Sequence, residues 1–141
     1  MKKATKAHSV SAKPKGKTPV KARLTTETAD SFFARSRERA RRLDRGEKLP
    51  AQLTINFEDP SDLMRVLSVE RIRVLHTVIT RPIGVSKLAS DLKRDRQAVK
   101  RDVSILESFG LLKTRDESNP GHGRRRIVEP LAARYRLVAT I

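Results

Sequence analysis

Apolar residues recur from residue 59 to residue 112 at the spacing of helix faces, and these faces define most of the predicted elements. Asp59-Pro60-Ser61-Asp62 is a helix start, with a capping Asp, Pro at the first helical position and an acid in the first turn. The short helix that follows carries Leu63, Met64 and Leu67. Ser68 caps a second helix over about 69–80, where Ile72, Leu75 and Ile79 fall at i, i+3 and i+7 with Val78 beside them. Pro82 and Gly84 end it and begin a turn. Val85, Leu88, Ala89 and Leu92 mark a third helix over about 85–92. Three residues later Asp95 caps a fourth, about 96–109, whose inward stripe is Val99, Val103 and Leu106. Gly110 closes it and Leu111 and Leu112 begin a strand. The charged turn Asp116–Arg124 separates that strand from another at about 125–129.

The pattern changes upstream. Residues 26–45 predict a helix, with Thr25 or Thr26 as cap and Gly46 as stop. Ala29, Phe33, Ser36, Ala40 and Leu43 form one stripe on it, with Phe32 beside them. That stripe suits packing on its own domain and packing in a dimer equally well. Residues 52–57 alternate polar and apolar, so Leu53, Ile55 and Phe57 predict a half-buried strand. Its expected partner is the C-terminal run 135–141, in the same chain or in a second copy. Residues 1–23 hold eight basic residues, two prolines, no acid and no aromatic. Such a segment cannot bury enough apolar surface to offset its ordering entropy. The organisation read from the chain is a disordered basic tail at 1–24, a helix-plus-strand extension at 25–58 that is a candidate dimerisation element, and a compact domain at 59–141. The fold class is mainly α with a small β component.

Charge adds a partner to this picture. The 141 residues include 32 Lys and Arg against 16 Asp and Glu, a net charge of +16, so the expected partner is a polyanion. The excess is uneven: residues 1–50 hold 15 Lys and Arg against 5 acids, residues 51–141 hold 17 against 11. There is no Cys, which removes disulfides, thiolate nucleophiles and Cys-based zinc sites. No apolar run approaches the roughly 18 residues of a membrane span, and no apolar stretch typical of a secretory signal follows the basic N-terminus. No membrane partner and a cytoplasmic, nucleoid-associated location are therefore expected.

Two short helices joined by three residues and followed by a hairpin predict a winged helix-turn-helix with an N-terminal helix and strand extension. Arg96, Gln97, Lys100, Arg101 and Ser104 lie off the apolar stripe of the fourth helix. Arg and Gln have the geometry to contact guanine and adenine edges bidentately, so helix 96–109 is the candidate reader of the major groove. Arg94 just before it is a further candidate DNA-binding residue, and Arg124, Arg125 and Arg126 in the hairpin, a wing of about 111–129, are candidate backbone or minor-groove contacts. Asp102 interrupts this basic face and is expected to pair with Arg101, Arg94 or Arg71 rather than touch DNA.

The stretches FEDPSDLMRVLSVERIRVL and VSKLASDLKRDRQAVKRDVSILESFGLL resemble prokaryotic winged-helix DNA-binding regulators of the MarR-like group, some of which lie beside toxin genes. Arg94, Asp95, Val99, Asp102, Val103, Leu106, Gly110 and Leu111 match that pattern position by position, and the resemblance covers residues 57–141. Two positions depart from it: Lys93 stands where a turn glycine is expected, and Gly84 where a capping Ser or Thr is expected. The resemblance implies a transcription regulator acting as a homodimer on double-stranded DNA. Two other functions suit the same residues. One is an antitoxin that binds a toxin protein through helix 26–45, and the other an architectural DNA binder driven by the tail. No enzyme is expected. His8, His76 and His122 are isolated, and no phosphate loop, nucleophile elbow or metal-type His-Glu motif is present, so no catalytic residue, cofactor or metal is assigned.

Overall fold

The computed structural model describes residues 20–139, and these form two compact units. The first comprises residues 20–63 and 134–139, the second residues 64–133. The element order is β1 (Lys21–Thr25), α1 (Ala29–Asp44), β2 (Gln52–Asn56), α2 (Pro60–Val66), α3 (Val69–Thr80), β3 (Ile83–Gly84), α4 (Val85–Leu92), α5 (Arg96–Ser108), β4 (Leu112–Ser118), β5 (Arg124–Pro130) and β6 (Arg134–Val138). Strands take 26% and helices 47% of these residues, so the fold is mixed α/β rather than mainly α. No helix among the described residues is long and apolar enough to cross a membrane.

In the first unit three parallel strands lie in the order β2-β1-β6. Parallel neighbours need a crossover, and α1 supplies it between β1 and β2. The alternation expected for 52–57 is present as β2, with Leu53 and Ile55 buried. Its partner is not the C-terminal run. β2 pairs with β1, and β6 pairs with the other side of β1, all within one chain. Residues 21–24 therefore belong to the central strand and not to the basic tail; residues 1–19 of that tail lie outside the described residues, as do 140 and 141. The reason is local: Lys21-Ala22-Arg23-Leu24-Thr25 alternates too, and Ala22 and Leu24 are buried. The same sheet takes residues 134–138 away from the domain drawn over 59–141.

Thr28 caps α1 by accepting from the Ser31 amide at 3.2 Å, and the helix ends before Gly46, as the stop predicts. Its inward face is rotated from the expected stripe. Phe32 is 4% exposed, whereas Phe33 and Leu43 are each 48% exposed. Asn56 fastens the start of this helix to the sheet. Its Oδ1 accepts from Thr25 Oγ1 at 2.8 Å and from the Glu27 amide at 3.0 Å, while its Nδ2 donates to the Glu27 carbonyl at 2.9 Å. Both the carbonyl and the amide of this buried side chain are thereby engaged.

In the second unit α3, α4 and α5 pack against one another, and the small antiparallel sheet β3-β5-β4 closes the bundle. Val74, Val78, Leu88, Val99, Leu106, Leu111, Leu112 and Val128 are its most deeply buried side chains. α3 turns Val74, Leu75 and Val78 inward and leaves Ile72 exposed, a small rotation from the expected face. Asp59 and Ser68 begin α2 and α3 as their positions predict: the Ser61 amide donates to Asp59 Oδ1 at 2.9 Å and the Arg71 amide to Ser68 Oγ at 3.3 Å. β3 is a two-residue strand that the turn residues Pro82 and Gly84 concealed.

Candidate nucleic-acid interface

The three-residue link from α4 to α5 sets the angle of the candidate reading helix. Lys93 takes the left-handed conformation, φ 55° and ψ 47°, at the position where glycine was expected. The Arg94 amide donates back to the Ala89 carbonyl at 3.0 Å and the Lys93 amide to the Ser90 carbonyl at 3.1 Å, the bonding of a Schellman close. Gly110 repeats this closure after α5 with φ 79°. A Cβ in that region is strained, so Lys93→Gly is expected to raise stability by about 0.5–1 kcal/mol. Chemical denaturation checks this; a lower midpoint would mean that the lysine side chain adds more than its backbone costs. Gly84 begins α4 without a side-chain cap, having no side chain to supply one.

Asp95 caps α5 through two hydrogen bonds, from the Gln97 amide at 3.0 Å and the Ala98 amide at 3.2 Å. The helix then buries Val99, Val103 and Leu106 and exposes Arg96, Gln97, Lys100, Arg101 and Ser104. None of these five side chains has an ion-pair or hydrogen-bond partner among the described residues. Gln97, Lys100, Arg101, Ser104 and Ile105 line a shallow depression of about 420 Å³. The face thus carries three cations and no compensating acid.

Arg94 does not belong to that face. Its guanidinium lies 2.7 Å from Asp102 Oδ2 and 3.5 Å from Glu70, with its side chain only 20% exposed. Asp102 is 8% exposed and also accepts from Arg71 Nε at 3.2 Å. Arg71 in turn donates to the carbonyls of Arg65 and Val66 at the end of α2. Asp102 therefore pairs with two of its three expected partners, Arg71 and Arg94, and joins α3 and the link to α5. No other polar side chain on α5 is buried.

The hairpin is charged in a different manner. Arg125 lies directly opposite Glu117 and Arg126 opposite Asp116 in the β4–β5 register, with ion pairs of 2.8 Å and 3.6 Å. Arg115 bonds Glu129 at 2.6 Å and Glu117 at 3.2 Å. Hydrogen bonds from Arg125 and Arg115 hold the Glu117 carboxyl below its usual range, and Arg115 does the same for Glu129. Opposite charges placed directly across neighbouring strands favour this register, while water screens them at the surface. Of the three hairpin arginines singled out from sequence, Arg124 alone has no such partner among the described residues.

Residues 66–130 match the family model HVO_A0114. That stretch is less than half of the chain. It contains α3, α4, α5 and the whole hairpin, and omits every strand of the first unit. A solved structure described as a possible transcriptional regulator from Methanosarcina mazei Go1 is similar at 24% identity, with a TM-score of 0.42. The alignment covers 45% of this chain and 56% of that one. No curated protein matches.

Within the matched stretch, the acids opposite the hairpin arginines are what the sequence reading missed. Their signal was available: counted outward from the turn, Glu117 and Asp116 sit at the same steps as Arg125 and Arg126. Among the described residues, no group of three or more His, Cys, Asp or Glu is gathered so as to hold a metal ion.

Proposed function

We propose that the second unit is a winged helix-turn-helix, and that the protein regulates transcription by reading double-stranded DNA with α5 in the major groove. One observation carries this reading. Arg96, Gln97, Lys100, Arg101 and Ser104 stand together on the second helix of the pair with no side-chain partner among the described residues, while nearby Arg94, Arg125 and Arg126 are held by acids. A basic face left unneutralised beside neutralised ones suits an anionic ligand, and its Arg and Gln suit base edges. The wing then approaches the adjacent backbone, with Arg124 as its available cation. The action is binding alone, with no catalytic step and no cofactor. The reading includes a homodimer, as the family resemblance implies, and a cytoplasmic, nucleoid-associated location. Two half-sites would lie about 34–36 Å apart or a multiple of that distance.

Selection of random duplex DNA by the pure protein at moderate salt tests the reading. A two-fold-symmetric motif is the expected result, and it should weaken in Arg96→Ala/Gln97→Ala. Binding with no enrichment would replace sequence reading by an architectural role, and no binding would turn attention to a protein partner such as a toxin. Arg124→Ala is expected to weaken binding equally across sequences and to lower the slope of log affinity against log salt by about one. An unchanged slope would take Arg124 off the phosphate backbone.

A further inference from the structure

The first unit carries a second concentration of cations with no counterpart in the matched family stretch. A cleft of about 840 Å³ opens between α1 and the polar face of the β2-β1-β6 sheet. Arg23, Arg35, Arg39, Arg42 and Arg136 line it, with Glu38 as the one acid of the lining. That acid is already paired with Arg41 at 2.9 Å and Arg45 at 3.8 Å. Glu27 holds Arg35 at 3.1 Å, and Glu47 holds Arg42 at 2.8 Å. Burial pushes the Glu27 carboxyl up, but hydrogen bonds from Arg35 and Ser31, with the fields of Arg35 and Arg23, bring it below its usual range. Arg39 donates to the Pro50 carbonyl, a neutral acceptor. Arg23, Arg39 and Arg136 are thus left without a salt-bridged acid among the described residues.

The strand register makes this excess costly. Lys21 lies opposite Arg134 and Arg23 opposite Arg136, two consecutive like-charge rows on adjacent parallel strands. Alternation sends all four side chains to one face of the sheet. Like charges directly opposite each other destabilise a sheet, and an anion between them reverses the sign. Thr54 completes the Arg23–Arg136 row on the third strand and lines the same cleft. Its hydroxyl oxygen accepts from Gln52 at 2.9 Å, so its proton is available to donate.

We infer that this cleft is a phosphate-binding site, with Arg23 and Arg136 gripping the anion and Arg39 and Thr54 flanking it. Guanidinium forks match phosphate oxygens bidentately, which is why arginine rather than lysine suits the inner row. The phosphate belongs either to a nucleic-acid backbone or to a small free ligand. The inference does not rest on α5 and stands if the DNA-reading proposal fails.

Amide NMR spectra of the full chain, titrated with pyrophosphate and separately with a short duplex, test it. Pyrophosphate is expected to move the amides of Arg23, Thr54 and Arg136 to saturation. Arg23→Gln/Arg136→Gln should weaken this by about tenfold or more, and Arg136→Lys by less. The α5 variant Arg96→Ala/Gln97→Ala should leave it unchanged, which separates this site from the reading helix. If the duplex moves the same amides, the phosphate is that of a backbone; if pyrophosphate alone does, it is a small ligand. Unmoved cleft amides in the wild-type chain with both probes overturn the inference, whatever the variants do. So does wild-type affinity in a folded Arg23→Gln/Arg136→Gln protein.

Discussion

Arg96→Ala/Gln97→Ala is expected to lower affinity for the selected DNA motif by between about 30-fold and 10⁴-fold while barely changing affinity for unrelated duplex. A good bidentate contact between a side chain and a base edge is worth roughly 1–3 kcal/mol of discrimination, so two contribute about 2–6 kcal/mol. Both residues are exposed and their side chains make no bonds to other described residues, so their removal should leave the fold intact. Competition binding at fixed salt, against matched and unmatched duplexes, measures the ratio. An equal loss on both duplexes would assign the two side chains to phosphates and move sequence reading elsewhere on α5. The Gln97 amide still reaches Asp95 in the variant, so the helix cap is not at stake.

Asp102→Ala is expected to cost the second unit about 3 kcal/mol. Removing one partner of a buried ion pair typically costs roughly 3–5 kcal/mol. The low end applies here because Arg71 and Arg94 each keep about a fifth of their side-chain surface in water and can rehydrate. Urea denaturation gives the value directly. Asp102→Asn keeps an acceptor and should lose less. If neither variant shifted the midpoint, the two arginines would be holding nothing together. The alanine variant also releases Arg94 beside the reading helix, so unspecific binding should rise at low salt if it folds.

Much of the second unit was legible because helical periodicity, capping residues and glycine stops agree there. Ser68, Asp95 and Gly110 each mark a boundary by a single local mechanism, and the structure uses all three. The exposed face of α5 followed directly from subtracting Val99, Val103 and Leu106. Pairwise electrostatics were less readable. The sequence placed Arg125 and Arg126 in a basic surface because it showed their charge and hid their acids, whereas the Arg94–Asp102 pair was among those expected. Asp102 is eight residues from Arg94 but 31 from Arg71, and only the packing of α3 on α5 brings the latter pair together.

The first unit was read least well, for a reason of topology. β1 has only two apolar residues, Ala22 and Leu24, inside a strongly basic stretch, so its alternation was outweighed by composition. Its neighbours are far away in the chain, and parallel pairing leaves no hairpin signal at either side. The α1 stripe was misplaced by one position because Phe32 and Phe33 offer two faces of equal hydrophobicity. Burial of Phe32 follows from the sheet beneath the helix, which the local pattern does not contain.

The position of β6 bears on how the chain acquires its structure. Lys21 is joined to Arg134 across more than a hundred intervening residues, and the whole second unit is strung between β2 and β6 like an insertion in a host. Closing so long a loop is slow compared with packing neighbouring helices. On the ribosome, β1 and β2 emerge well before the strand that completes their sheet. The second unit, continuous from 64 to 133, has all its partners at hand by then. The order of maturation should therefore run against the order of synthesis, with the inserted bundle set first and its host finished last.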